Sequence, residues 1–175
     1  MAWNNDPLTL WHGTIRISSD DIEANGISLN RCAPKRDFGR GFYTTRVRSQ
    51  AILFANQKYQ ETLALHIHDP RNHARPISAT IVEYSIDRDI LAQLDALAFV
   101  GPTPDWVEFV RFCRAFGRGH NRSGGVDYDV VYGPVSNMRG EAWPDFEQLA
   151  FHTNRATSAL NAARVRSHHG SPRLA

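Results

Sequence analysis

The hydrophobic pattern of this chain switches between strand-like alternation and helical spacing in short segments, punctuated by glycine and proline and unevenly interleaved. A doubly wound parallel sheet needs strands and helices in regular alternation, so the pattern points to α+β. Leu8-Thr9-Leu10-Trp11-His12 alternates like a short strand that Gly13 ends. Ser18 or Ser19 is placed to cap a two-turn helix carrying Ile22, which stops at Asn25-Gly26. Residues 28–40 are polar and contain Pro34, the composition of a loop, and residues 41–45 are β-prone. Ser49 then caps a helix with Ala51, Phe54, Ala55 and Tyr59 on one face, broken by Asp69-Pro70-Arg71-Asn72. Residues 77–86 form the longest strand, built around Ile81, Val82 and Tyr84, and Asp87 caps a helix to about Phe99. Pro102 and Pro104 open another over 105–116, with Trp106, Val107, Val110 and Cys113 on one stripe. A loop rich in Gly and Arg fills 117–125. Asp129 to Tyr132 is a strand, Gly133-Pro134 turns, and Phe146 to His152 is another strand. Thr153 caps a last helix to about Val165, leaving 167–175 as a frayed tail. The expected organisation is one domain over 1–166.

A chain of 175 residues can bury one sizeable core without cross-links. Cys32 and Cys113 are too few for a disulfide framework and lack partners at zinc-ligand spacing. No run approaches the ~20 apolar residues of a membrane span, and the first residues lack a signal peptide's basic start and apolar stretch. The expectation is a chain that is cytoplasmic on synthesis, with secretion or delivery into a target cell without a cleaved signal left open. Basic and acidic side chains number 20 and 18, and four arginines follow the last acidic residue, Glu147. The body therefore has no basic excess, which argues against nucleic-acid or membrane partners. Lysine occurs only at Lys35 and Lys58 against 18 arginines. Codon bias accounts for that, although arginine also suits diphosphate recognition and a lysine-poor chain escapes ubiquitin tagging.

Three segments place polar groups beside glycine or at a strand end: Trp11-His12-Gly13-Thr14, Asp37-Phe38-Gly39-Arg40-Gly41-Phe42-Tyr43-Thr44-Thr45, and Glu147-Gln148-Leu149-Ala150-Phe151-His152-Thr153. In this order they resemble the ADP-ribosyltransferase superfamily, in its diphtheria-toxin and poly-ADP-ribose-polymerase branch, whose signature is His, Tyr and Glu on three strands. They are more similar still to a bacterial family of uncharacterised domains within that branch. There His-Gly-Thr, Asp-Phe-Gly-x-Gly-Phe-Tyr-x-Thr with Gln-Ala, Val-Tyr-Gly-Pro-Val and Gln-x-x-Phe-His-Thr recur, here starting at His12, Asp37 (with Gln50-Ala51), Val131 and Gln148. The resemblance spans about residues 8 to 165.

The resemblance implies an ADP-ribosyltransferase fold, two small mostly antiparallel sheets around an NAD cleft with flanking helices. It implies a mono-ADP-ribosyltransferase, a glycosyltransferase that moves ADP-ribose from NAD to a protein side chain and releases nicotinamide, in a bacterial toxin or effector. NAD enters as substrate and no metal is required. The implied partners are a protein acceptor, for instance a host protein such as ubiquitin, and an antitoxin or immunity protein. By the same resemblance His12, Tyr43 and Gln148 are the catalytic set. His12 bonds a ribose hydroxyl of the adenosine half, the backbone of Gly13 holds the carboxamide, and Tyr43 stacks on the cationic nicotinamide ring. Thr14, Gly41 and Thr44 lie nearby, and Arg36, Arg40 and Arg31 sit in a loop that can reach the diphosphate.

Each residue alone has a structural alternative: a partly buried histidine, strand rings on opposite faces, glycines that serve a turn. The chain also departs from the branch, because the third position is Gln148 and not Glu. An amide offers a dipole where a carboxylate offers charge, a loss worth ~10² to 10³ in rate. Glu147 points to the opposite strand face, while Glu141 and Asp145 precede it in a loop that can swing. The branch's bacterial relatives carry Gln here, which favours Gln148 as the working residue. NAD hydrolysis and a non-catalytic module binding NAD or ADP-ribose remain the alternatives. Trp106, Phe109 and Phe112 read as core. His66, His68, Asp69 and His73 imitate a metal cluster only superficially, and His168-His169 falls in the expected tail.

Overall fold

The computed structural model describes residues 5–66, 77–117 and 119–175, although not the side chain of His66. In chain order its elements are β1 (Leu8–Ile15), α1 (Arg16–Asn25), β2 (Phe42–Thr44), α2 (Arg48–His66), β3 (Ala79–Ile86), α3 (Arg88–Leu91), β4 (Ala96–Ala98), α4 (Pro104–Phe116), β5 (Val130–Ser136), β6 (Ala142–Phe151), α5 (Asn154–Ala162) and β7 (Arg164–His169). One sheet has the order β1-β3-β7 and the other β2-β6-β5-β4, antiparallel throughout except for β4 beside β5. The protein is α+β. The sheets touch where Trp11 and Thr45 exchange backbone hydrogen bonds of 2.8 and 2.9 Å.

Three apolar clusters stack the elements in layers. Ala51, Ala55 and Tyr59 of α2 pack on Ile15, Ala79 and Ile81 of the first sheet. Its other face, through Leu10, Val82, Tyr84 and Ile86, meets Phe42, Val130, Leu149 and Phe151 of the second sheet, with Ile22 and Leu160 closing the ends. Beyond, Val131 and Ala150 are covered by Phe38 and by Trp106 and Val110 of α4. β3 is thus buried on both faces, as its near-continuous apolar run requires.

Several boundaries differ from the sequence expectation. β1 does not end at Gly13 but passes through it, opposite Ile81. A Cβ there would lie 2.4 Å from the Ala51 carbonyl oxygen and 2.9 Å from the Ala55 nitrogen, so glycine permits the close approach of α2. α1 starts at Arg16 with Ile15 at its cap position, and Ser19 is buried instead, bonding Ser167 Oγ at 2.7 Å. The helix after Asp87 has a single turn, and residues 96–98 become β4. Tertiary bonds draw that segment in: the Asp129 and Val130 amides donate to the Asp95 carbonyl, and the Asp95 amide to the Asp129 carboxylate. β5 runs straight through Gly133-Pro134. Pro134 lies past the last β4–β5 pair, where among the described residues no strand pairs with that edge and a missing N–H costs no ladder bond.

The expected frayed tail is ordered. Residues 164–169 form β7 on the otherwise open edge of β3, and the following chain is tied to α2 where Asn56 and Leu174 exchange bonds of 2.9 and 3.0 Å. The ends expected at Gly26, Gly117 and Thr153 are found. Gly26 and Gly117 donate to Ile22 and Cys113 carbonyls, and the Thr153 hydroxyl accepts from the Ala156 amide. α5 stops at Ala162, three residues short of the expected Val165. The Asp69–Asn72 break, His68 and His73 lie outside the described residues.

Candidate functional site

A cleft of about 880 Å³ opens at the junction of the sheets, walled by β1, β2, α1, α2 and the 28–37 loop, within the size range of small-ligand pockets. Its lining includes His12, Gly13, Thr14, Arg36, Gly41, Tyr43, Thr44 and Gln148, hence all three proposed catalytic positions.

The segment from Asp37 to Gly41 is held by side chains acting on its backbone. The Tyr43 hydroxyl donates to Gly39 O (2.8 Å) and accepts from Phe38 N (2.9 Å). His120 Nε2 donates to Phe38 O at 3.0 Å while its Nδ1 accepts from the Tyr128 amide. His152 Nδ1 donates to Arg40 O at 2.8 Å, and its ring packs so closely that a Cβ on Gly41 would sit 2.6 Å from it. His152 Nε2 is buried without a partner among the described residues. Burial, then His120, pulls the His152 pKa down to about 3, so its ring is a neutral spacer, and burial lowers the His120 pKa as well.

His12 donates from Nδ1 to the Tyr43 carbonyl oxygen at 2.7 Å, tying β1 to β2 across the junction. Burial lowers its pKa to about 4, which leaves a neutral ring whose Nε2 is an acceptor. The ring rests on Phe42 with centroids 4.1 Å apart. Tyr43 lines the cleft with its hydroxyl consumed by the loop, and burial raises its pKa well above the ordinary value. It offers a ring surface, not a proton. The Thr14 hydroxyl, also in the cleft wall, is buried and has no partner among the described residues.

Gln148 is 8% exposed, and its Nε2 donates to Asp37 Oδ2 (2.8 Å) and Pro134 O (3.1 Å), leaving Oε1 without a partner among the described residues. Glu147 points the other way, as the strand period requires, and binds Arg46, Thr45 and the Arg46 amide. Burial works to raise its pKa, but those bonds leave it below the ordinary value. Glu141 is held in the β5–β6 turn by Asn137, and neither it nor Asp145 lines the cleft.

The three arginines of the 28–40 loop separate. Arg36 lines the cleft. Arg40 does not; its guanidinium donates to the carbonyls of Leu29, Asn30 and Cys32 and so fastens the loop. Arg31 lines the cleft but is paired with Asp21. The cation that sequence reasoning missed is Lys58, on the α2 face formed by Gln50, Ala51, Phe54, Gln57 and Glu61. Desolvation by the cleft walls, then repulsion from Arg36, lowers its pKa. The helical spacing of 50, 54, 57, 58 and 61 carried the signal. Asp37 and Gln50 were also passed over as functional residues; Gln50 bridges α2 to the Glu147 backbone with bonds of 2.6 and 3.2 Å.

Among the described residues no group of three or more His, Cys, Asp or Glu side chains is placed to hold a metal ion, and no helix is long and apolar enough to cross a membrane.

Fold and cleft together define an α+β protein with a cleft of small-ligand size at the junction of two sheets. The chain belongs to the DUF3990 family, described as proteins of unknown function, whose model matches residues 8–165. No curated protein and no solved structure matches it.

Proposed function

We propose that this protein is a mono-ADP-ribosyltransferase of the His-Tyr branch, which cleaves the nicotinamide–ribose bond of NAD and passes ADP-ribose to a side chain of an acceptor protein. The observation that carries this reading is the convergence of His12, Tyr43 and Gln148, 136 residues apart at the extremes, on one cleft.

In that reaction the C1′–N bond breaks, its electrons leave with neutral nicotinamide, and positive charge gathers on the ribose, as in glycoside hydrolysis. The acceptor then bonds to C1′ and loses its proton. Neutral His12 accepts a ribose hydroxyl at Nε2. The Tyr43 ring, fixed by its own hydroxyl, stacks on the pyridinium while the ring is cationic and loses that attraction once it is neutral. Gln148 Oε1 accepts from a ribose hydroxyl beside the breaking bond, which places a dipole against the developing charge. Arg36 and Lys58 face the diphosphate. Gly13 has a packing duty toward α2, so its part in holding the carboxamide is through its backbone alone.

Pure protein incubated with labelled NAD and a cell lysate tests the proposal. The expected result is nicotinamide release and a labelled protein band, both lost in Tyr43→Ala. Nicotinamide without any labelled band identifies a hydrolase. The amide at 148 favours a further alternative, a binding module: calorimetric binding of NAD with no turnover over hours identifies it and removes the transferase.

A further inference from the structure

We infer that Asp37 is a positioning residue for Gln148, one that fixes which atom of the amide meets the ribose; the role at the ribose rests on the NAD-cleaving reading above.

The Gln148 amide is flanked at one atom by two acceptors, Asp37 Oδ2 at 2.8 Å and Pro134 O at 3.1 Å. Only an NH₂ group is stable there, because an oxygen would face a carboxylate and a carbonyl together. Oε1 is therefore turned away from both. Asp37 has no freedom to yield. Its Oδ1 accepts from Arg114 Nε (3.0 Å) and Nη2 (2.6 Å), and its Oδ2 also accepts from the Ser136 amide (2.7 Å). Arg114 is in turn held by the carbonyls of Ser136 (3.0 Å) and Asn137 (2.8 Å). A helix, a loop and two strands thus lock one amide in one orientation. Although Asp37 lines the cleft, its charge is paired with Arg114 and both carboxylate oxygens are taken by donors, so it is committed to holding its neighbours.

The arrangement reverses an expectation. In a His-Tyr-Glu site, replacing Gln by Glu restores the missing carboxylate and speeds the reaction. Here Gln148→Glu would bring an oxygen within hydrogen-bond distance of Asp37 Oδ2 and Pro134 O, so the new carboxyl must take up a proton or swing out of place. The charged groups around position 148 are Asp37, Arg114 behind it, and Glu147 on the opposite face with Arg46.

Nicotinamide release from NAD and thermal melts at pH 5.5 and 8 on wild type, Gln148→Glu, Asp37→Asn and the double variant test this. Gln148→Glu is expected to lower kcat at pH 8 by about tenfold or more with KM changed less than threefold, whereas the same substitution in the Asp37→Asn background raises kcat. The melting deficit of Gln148→Glu grows from pH 5.5 to 8, because a carboxyl whose folded pKa is raised loses its stabilising contribution as pH rises. An equal fold-change in both backgrounds overturns the inference. Where Asp37→Asn does not fold, Gln148→Met supplies the control: its deficit is independent of pH, and a Glu variant with the same flat profile overturns the coupling. A wild type that releases no nicotinamide sinks the NAD reading, and the melts then decide the Asp37–Gln148 lock on their own.

Discussion

His12 and His152 are kept neutral by packing, and that has a measurable consequence at low pH. Their pKa values are lowered from 6.5 to about 4 and about 3, both chiefly by burial. A depressed pKa means that the unfolded chain binds more protons, so the stability is present above about 6.5 and is lost as pH falls toward the folded values. We expect the melting temperature to fall between pH 6.5 and 4, each histidine contributing up to about 1.4 kcal/mol per pH unit. His152→Gln should flatten that slope; an unchanged slope in the variant would exclude the mechanism. Tyr43 shows a second dependence. Removing its hydroxyl in Tyr43→Phe strands Gly39 O and Phe38 N, and chemical denaturation should report a loss of about 1–2 kcal/mol. At this scale the motifs made His12, Tyr43 and Gln148 legible. They could not separate Arg36 from Arg40, or expose Asp37 and Lys58. Where the Arg40 guanidinium points depends on how the 28–40 loop folds back on itself, and which carboxylate lies against which amide depends on chain brought in from far away, as with the Asp37–Gln148 bond.

At the scale of elements, α2 carries both core and cleft on adjoining faces, Ala51, Ala55 and Tyr59 inward and Gln57, Lys58 and Glu61 toward the cleft. On the NAD reading, Lys58→Ala is expected to raise the KM for NAD roughly tenfold with kcat nearly retained, as loss of binding common to ground and transition states does. Arg40→Ala, by contrast, should lower the melting temperature more than it raises KM, since its bonds hold the loop. β7 is the element that the sequence concealed. Arg164–His169 is half exposed and has no apolar alternation, so its strand state comes from β3's unpaired edge and not from its own residues. Truncation after Ala163 should therefore lower the melting temperature and broaden the transition, whereas a frayed end would leave both unchanged. β4 escaped for a related reason: three residues in register with β5 are too few to outweigh local helical spacing until Asp95 and Asp129 bond.

In the molecule as a whole, the cleft exists because helix, sheet, sheet and helix stack in layers and, among the described residues, the backbones of the two sheets bridge at Trp11 and Thr45 while their faces pack through one apolar cluster. Gly13 lies at that junction, and its closeness to α2 makes it a probe of the whole arrangement. Gly13→Val must push α2 outward, with a cost of about 2–3 kcal/mol in denaturation and, on the NAD reading, a weaker calorimetric signal for NAD. The sequence by itself determined what local forces decide. The α+β character, the stops at Gly26 and Gly117, the cap at Thr153, the apolar faces of α2 and α4 and the glycine-bounded polar motifs all follow from residues a few positions apart. Only the tertiary structure decided that β1 and β5 run on through a glycine, that the last strand exists, that Arg40 faces the loop while Lys58 faces the cleft, and that Asp37 holds the amide of Gln148. Apart from the Arg40 bonds, which need the loop to close on itself, those are long-range pairings, and their energies are absent until the distant partner arrives.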